Sequence, residues 1–182
     1  MGIEKKEKDQ KFISIYKAHV DEVYSFIYLR TGLNQTTAED LTEEIFVEAY
    51  KALSGFRGQS SERTWIFSIA RNLLNDFYRK QYRSQMEIAC LDDEIYENLP
   101  DDSQDVQEMQ IKALEKENIR TCLSQLPKQY EIILTLKYMD DKSVKEIAEI
   151  LEKSPKAIES LLYRAKAAFV KKYRRIIEQE ET

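Results

Sequence analysis

The sequence of 182 residues predicts an all-α fold. It should form two small helical domains, an N-terminal helical bundle and a C-terminal helix-turn-helix domain, joined by an acidic flexible linker. Three observations carry this expectation. Apolar residues recur at three- and four-residue steps over most of the chain, the period of amphipathic helices. Four glycines and three prolines are too few for the turns of a strand-rich fold. Between residues 84 and 104 the helical period lapses, and acidic residues and Pro100 take its place. The domains are therefore expected at residues 9–83 and 105–177.

The first helix, over residues 9–30, carries Phe12, Ile13, Tyr16, Val20, Val23, Tyr24 and Ile27 as one stripe and ends at Gly32. His19 lies in it without a second histidine or a nearby cysteine, so it reads as a surface or interfacial residue rather than a ligand. Thr36-x-x-Glu39 has capping-box spacing and should open a helix over residues 38–53. Leu41, Ile45, Ala49 and Leu53 form its apolar side. Glu39, Asp40, Glu43, Glu44 and Glu48 form an acidic side, and Gly55 closes it. A small polar loop, residues 56–61, leads into a long helix over residues 62–82. There Ile66, Ile69, Ala70, Leu73 and Phe77 bury one side, while Ser68, Arg71, Asn72, Asn75, Arg79 and Arg83 line the other, with Trp65 at the boundary. Arginines, amides and a boundary tryptophan can hold phosphates and stack on unpaired bases. The loop that carries Arg57, Ser60 and Ser61 is small enough to approach an extruded base. The alternative is a plain basic amphipathic helix with core aromatics.

Past the linker, helical pattern resumes near residue 105 and stops at Leu126-Pro127; residues 128–138 form another helix. The next two helix starts are explicit. Ser143-Val-Lys-Glu146 is a capping box, and Ser154-Pro155 puts a hydroxyl at the N-cap and proline at the first helical position. Glu152 and Lys153 leave room for a tight turn. Ile147, Ala148, Leu151, Ile158, Leu162, Ala165 and Phe169 give both helices a buried face. A helix-turn-helix presents the start of its second helix to the DNA major groove; a simple helical hairpin would share the same pattern.

The net charge is −5 and the isoelectric point about 5.2, an unfavourable balance for unaided DNA binding, which depends on Lys and Arg neutralising phosphates. The charge is segregated, however. Residues 87–108 contain no basic side chain. Residues 160–177 contain no acidic one and hold Arg164, Lys166, Lys171, Lys172, Arg174 and Arg175. Such patterning suits separate surfaces for separate partners. No apolar run is long enough to cross a bilayer, and no secretory signal is expected behind the opening Met-Gly-Ile-Glu-Lys-Lys. Cys90 and Cys122 form neither a CxxC pair nor a zinc spacing, so reduced thiols and no metal are expected. There is no phosphate-binding glycine loop and no nucleophile–base pattern, so no catalysis, cofactor or small-molecule substrate is expected.

Three stretches together resemble the bacterial sigma-70 family, in particular its short two-domain extracytoplasmic-function (ECF) RNA polymerase sigma factors. Ala38-Glu-Asp-Leu-Thr-Glu-Glu-Ile-Phe-Val-Glu-Ala-Tyr-Lys51 is similar to the helix that docks on the clamp of core RNA polymerase. Thr64-Trp-Ile-Phe-Ser-Ile-Ala-Arg-Asn72, with Asp76 and Arg79, is similar to the segment that melts and captures the −10 element. Leu126-Pro127, Glu146-Ile-Ala-Glu-Ile-Leu151 and Arg164-Ala-Lys166 are similar to the domain that reads the −35 element. The resemblance implies polymerase contact through Asp40, Leu41, Glu43, Glu44, Ile45, Phe46 and Glu48. It implies −10 contact through Arg57, Ser60, Ser61, Trp65, Ser68, Arg71, Asn72, Asn75 and Arg79. It implies −35 contact through Glu146, Ser154, Pro155, Lys156, Glu159, Ser160, Arg164 and Lys166. The family commonly has glycine in the turn where Glu152 stands and basic residues where Glu159 and Leu161 stand. The implied partners are core RNA polymerase at its clamp and flap, promoter DNA, and an anti-sigma factor. The implied location is the cytoplasm, or the inner face of the membrane when such a factor holds the chain there. The acidic linker would pass through the polymerase's basic interior. A sigma-like helix-turn-helix regulator, or an anti-sigma-binding decoy that acts without core polymerase, remains the alternative.

Overall fold

The computed structural model describes residues 2–89 and 116–180, and every regular element among them is helical. The chain forms two compact units, residues 1–77 and 78–182, whose boundary falls inside a helix. In chain order the helices are α1 (Gly2–Tyr28), α2 (Gln35–Ala52), α3 (Glu62–Ala89), α4 (Lys116–Ser124), α5 (Lys128–Leu134), α6 (Val144–Leu151) and α7 (Pro155–Glu180). A 3-10 turn, Leu53–Gly55, follows α2, and a π-helical turn, Thr135–Met139, follows α5.

In the first unit α1 packs on α2. Ile15, Val23, Ile27, Ala38, Ile45, Ala49, Ile66 and Ala70 are fully buried. Each buried isoleucine contributes about 1.5–3 kcal/mol through removal of apolar surface from water. Aromatic edges close the seam: Phe12 meets Tyr50 at 5.1 Å between centroids, Tyr16 meets Phe46 at 4.9 Å, and Phe26 meets Phe67 at 5.2 Å. α1 starts earlier than its sequence pattern predicts, and its expected first residue is tied to α2 by Tyr50, whose hydroxyl donates to Asp9 Oδ1 at 2.7 Å.

The start of α2 corrects one expectation. Its N-cap is Asn34, whose Oδ1 accepts from Thr37 N at 2.8 Å; Thr36 lies within the first turn, and Glu39 accepts from the Gln35 side chain. Asparagine caps as well as threonine. It is preceded by Gly32 (φ 73°) and Leu33 (φ 59°), two left-handed residues that turn the chain sharply after α1. At its other end α3 continues through Ala89, so residues 84–89 of the expected linker are helical. Neither glycine nor proline occurs from residue 59 to 99, so no local signal stops the helix earlier. The rest of the linker and residues 105–115 of the expected C-terminal domain lie outside the described residues, as does Cys90.

In the second unit α4, α5 and α6 all pack on α7. Tyr130, Ile132, Ile133, Leu136, Ile147, Leu151, Ile158, Leu161 and Ala165 are buried. Cys122 is also buried; its thiol donates to Phe169 O at 3.6 Å, and desolvation pushes its pKa up to about 11. The single helix expected over residues 128–138 is an α-helix followed by a π turn, closed by Asp140 N donating to Thr135 O at 3.1 Å.

Candidate nucleic-acid and polymerase interfaces

The loop before α3 and the first turn of α3 form an aromatic-walled recess. Ser61 caps the helix: its Oγ accepts from Thr64 N at 3.0 Å. That cap places Trp65 one turn in, half-buried, with its ring stacked on Phe56 at 4.8 Å and 30°. Lys11 Nζ lies 5.0 Å over the Phe56 ring. Gly55, Phe56, Arg57, Gln59, Ser60 and Trp65 line a shallow cavity of about 330 Å³. Gly58 (φ 70°) makes the reversal that lets the loop fold back over this space. A polar recess with a π-face wall suits a single planar base.

Arg57, Ser60 and Ser61 are thus brought together with Trp65, although Ser61's hydroxyl is committed to the helix cap. Along α3, Ser68, Arg71 and Asn72 are exposed and Asn75 is half-buried. Ser68 Oγ donates to Trp65 O at 2.7 Å, and the Arg71 guanidinium sits 6.0 Å from the Phe26 and Phe67 rings. Arg63 is engaged elsewhere: its Nε reaches the two oxygens of Glu22 at 2.9 and 3.1 Å, and this holds the Glu22 carboxyl below its ordinary pKa. Arg79 is partly exposed and engaged elsewhere; its Nε donates to Ile150 O at 3.1 Å.

On α2 the acidic face is formed as expected. Asp40, Glu43 and Glu44 are exposed, and Glu48 is half-exposed beside Lys51, 2.6 Å away. Leu41, Ile45 and Phe46 belong to the core instead, 7%, 0% and 3% exposed. The helical period turns these three inward, so they lie beneath the acidic face and do not reach its surface. Exposed apolar side chains outside the expected set are Val47 on α2, one turn from Glu43 and Glu44, and Ile13 and Tyr16 on α1. Val47 is flagged in the sequence by standing off the buried stripe among carboxylates.

In the second unit both helix starts expected for the helix-turn-helix are present. Ser143 Oγ accepts from Glu146 N at 3.2 Å, and Glu146 Oε2 accepts from Ser143 N at 2.8 Å; Lys142 lies 3.1 Å from the other oxygen. These donors pull the Glu146 pKa down to about 2. Glu146 therefore spends its carboxylate on the start of α6 and on Lys142. Between the helices Glu152 takes the left-handed conformation (φ 55°). Lys153 N donates to Ala148 O at 2.9 Å, and Glu152 N to Glu149 O at 3.4 Å, the Schellman pattern. Ser154 Oγ then accepts from Ala157 N at 3.2 Å to start α7.

Pro155, Lys156, Glu159, Ser160, Arg164 and Lys166 are exposed on α7, with Lys166 Nζ 5.7 Å over the Tyr138 ring. Tyr163, absent from the expected set, is 52% exposed and follows Lys156 and Ser160 on the same stripe at i+7 and i+3. Its spacing from Ser160 was the available signal. Leu161 is buried at 2%, so apolar character there is a core requirement and removes nothing from the exposed face.

The family description "Sigma-70 region 2" matches residues 15–84, and "Sigma-70, region 4" matches residues 116–169. The chain is 30% identical over 175 residues to the ECF RNA polymerase sigma factor SigW of Bacillus subtilis, spanning 93% of this chain and 92% of SigW. It is 33% identical over 158 residues to the ECF RNA polymerase sigma factor BldN of Streptomyces coelicolor, spanning 85% of this chain and 57% of BldN. Among solved structures, the sigma factor RpoE of Bartonella quintana, crystallised with the anti-sigma factor NepR, aligns over 93% of this chain and 98% of its own. Its TM-score is 0.47 and its identity 19%.

Proposed function

The chain belongs to the ECF group of the sigma-70 family, and from that premise we propose that it directs core RNA polymerase to a limited promoter set and assists strand opening there. The stacked Phe56–Trp65 wall over a polar recess supports this reading most directly. A duplex reader has no use for such a platform, whereas an unpaired −10 base has. In this reading Arg57, Ser60 and Trp65 receive the base, and Arg71 and Asn72 hold the strand. Asp40, Glu43 and Glu44 dock on the polymerase clamp and steer the encounter electrostatically. The start of α7 carries Pro155, Lys156, Ser160 and Tyr163 to the −35 groove, with Arg164 and Lys166 near the backbone. The protein performs no catalysis of its own, works in the cytoplasm, and is restrained by an anti-sigma factor. Its net charge of −5 fits promoter affinity that belongs to the assembled holoenzyme.

The test is reconstitution. The chain with core polymerase should initiate transcription at selected promoters from a genomic library, and the variant with Asp40, Glu43 and Glu44 all changed to lysine should not bind core. A chain that binds promoter duplex tightly alone and supports no initiation with core polymerase is a free-standing regulator instead, and a triple variant that transcribes normally removes these carboxylates from polymerase docking.

A further inference from the structure

The last turns of α3, from Tyr78 onward, belong to the second compact unit and lie against the α6–α7 turn. Glu152 is the centre of that contact. Its Oε1 is 3.3 Å from Arg79 Nε, and its Oε2 accepts from Arg83 Nη2. Arg79 also donates to Ile150 O at 3.1 Å. That carbonyl is one of the last of α6, where helix geometry leaves acceptors without internal partners and the dipole favours a cation. Beside them Lys153 Nζ lies 5.8 Å over the ring of Tyr82, which is 6% exposed. One carboxylate thus joins two guanidinium groups spaced i, i+4 on α3, next to the residue that precedes the Ser154 cap.

The turn itself does not need glutamate. At φ 55° glycine is the less strained residue, and a side chain there costs about 1 kcal/mol. What glutamate adds is a pair of arginines. A duplex seated on the start of α7 runs its backbone past residues 152–154, where the end of α3 now lies. Arg83 and Glu152 are 61% and 52% exposed, so the pairing is weak enough to open.

We propose that Glu152 is a latch: in the free chain it holds Arg79, Arg83 and the end of α3 on the helix-turn-helix, which weakens the hold of this unit on duplex DNA until a seated duplex displaces the end of α3. The latch rests on the sigma-factor reading of these DNA-facing surfaces. It is a property of the chain without polymerase, so it is tested there, and promoter-directed transcription with core polymerase tests the other reading separately.

The experiment measures binding of the full chain to a fluorescent mixed-sequence duplex and amide hydrogen exchange across residues 79–85. Glu152→Gln and Arg83→Gln should each speed exchange and tighten binding about two- to fivefold, the range that one exposed ion pair carries. The double variant should bind no more tightly than either single one. Glu152→Gly, which suits the turn, should behave like Glu152→Gln and so guards against a folding defect. The arginine variant discriminates: it removes a positive charge, and without a latch it binds duplex less tightly. Weaker or unchanged binding by Arg83→Gln, or exchange unchanged in both single variants, overturns the proposal.

Discussion

Replacing Trp65 by alanine should separate strand capture from every other activity of the protein. Trp65 contributes one wall of the recess and stacks on Phe56 at 4.8 Å. Base–aromatic stacking is worth about 1–3 kcal/mol per base. At about 1.4 kcal/mol per decade, Trp65→Ala should weaken holoenzyme affinity for a −10 single strand by roughly 5- to 150-fold. The fold should survive. Trp65 is only half-buried, so the loss falls below the roughly 3–5 kcal/mol of a full core Trp→Ala truncation. Trp65→Phe keeps a π-face and should recover most of the affinity. Fluorescence anisotropy with a labelled single strand, and the lifetime of heparin-challenged open complexes, read the effect. Closed complexes trapped at low temperature should form normally. The reasoning fails if Trp65→Phe is as impaired as Trp65→Ala, or if closed and open complexes weaken equally.

Other outcomes follow from the second unit. Glu131 is 4% exposed; burial raises its pKa, and Lys128 Nζ, 3.0 Å from both oxygens, partly offsets that. Lys128→Met should raise the folded-state pKa further, and the variant should lose about 1–3 kcal/mol at pH 7, below the usual range for a fully buried pair because Lys128 is 24% exposed. An acid with a raised folded pKa destabilises as pH rises through the unfolded and then the folded value, so urea melts should show the deficit shrink toward pH 4. A deficit independent of pH contradicts the assignment. Glu146 has the opposite sign. Its pKa of about 2 makes its contribution complete above the ordinary carboxylate range and lost as pH falls toward 2, so Glu146→Gln should flatten the acid limb of the stability curve. Tyr163→Ala should weaken −35 duplex binding by holoenzyme several-fold, with a melting temperature within the scatter of surface substitutions; unchanged binding removes Tyr163 from the reading face.

Much of the fold was legible because helices declare themselves locally. The Ser143–Glu146 box and the Ser154-Pro155 start each depend on residues within four positions, and both form as written. Local signals also misled where two of them competed. Thr36 and Asn34 both qualify as caps, and only the paired left-handed residues at Gly32 and Leu33 decide for Asn34. For the candidate site, Trp65 at the face boundary, the exposed arginine–amide side of α3 and the carboxylates of α2 were readable from period and charge.

What the chain alone determined is therefore the set of elements, their capped starts and the faces they expose, all properties of a few neighbouring residues. What only the tertiary structure decided is which of those faces remain available. Leu161 is drawn into a core, Ile45 and Phe46 vanish beneath an acidic surface, and Arg79 and Arg83 turn from candidate phosphate ligands into partners of Glu152, 69 positions beyond Arg83. Packing of helices distant in sequence sets these outcomes, and no periodicity records where a guanidinium finds its carboxylate.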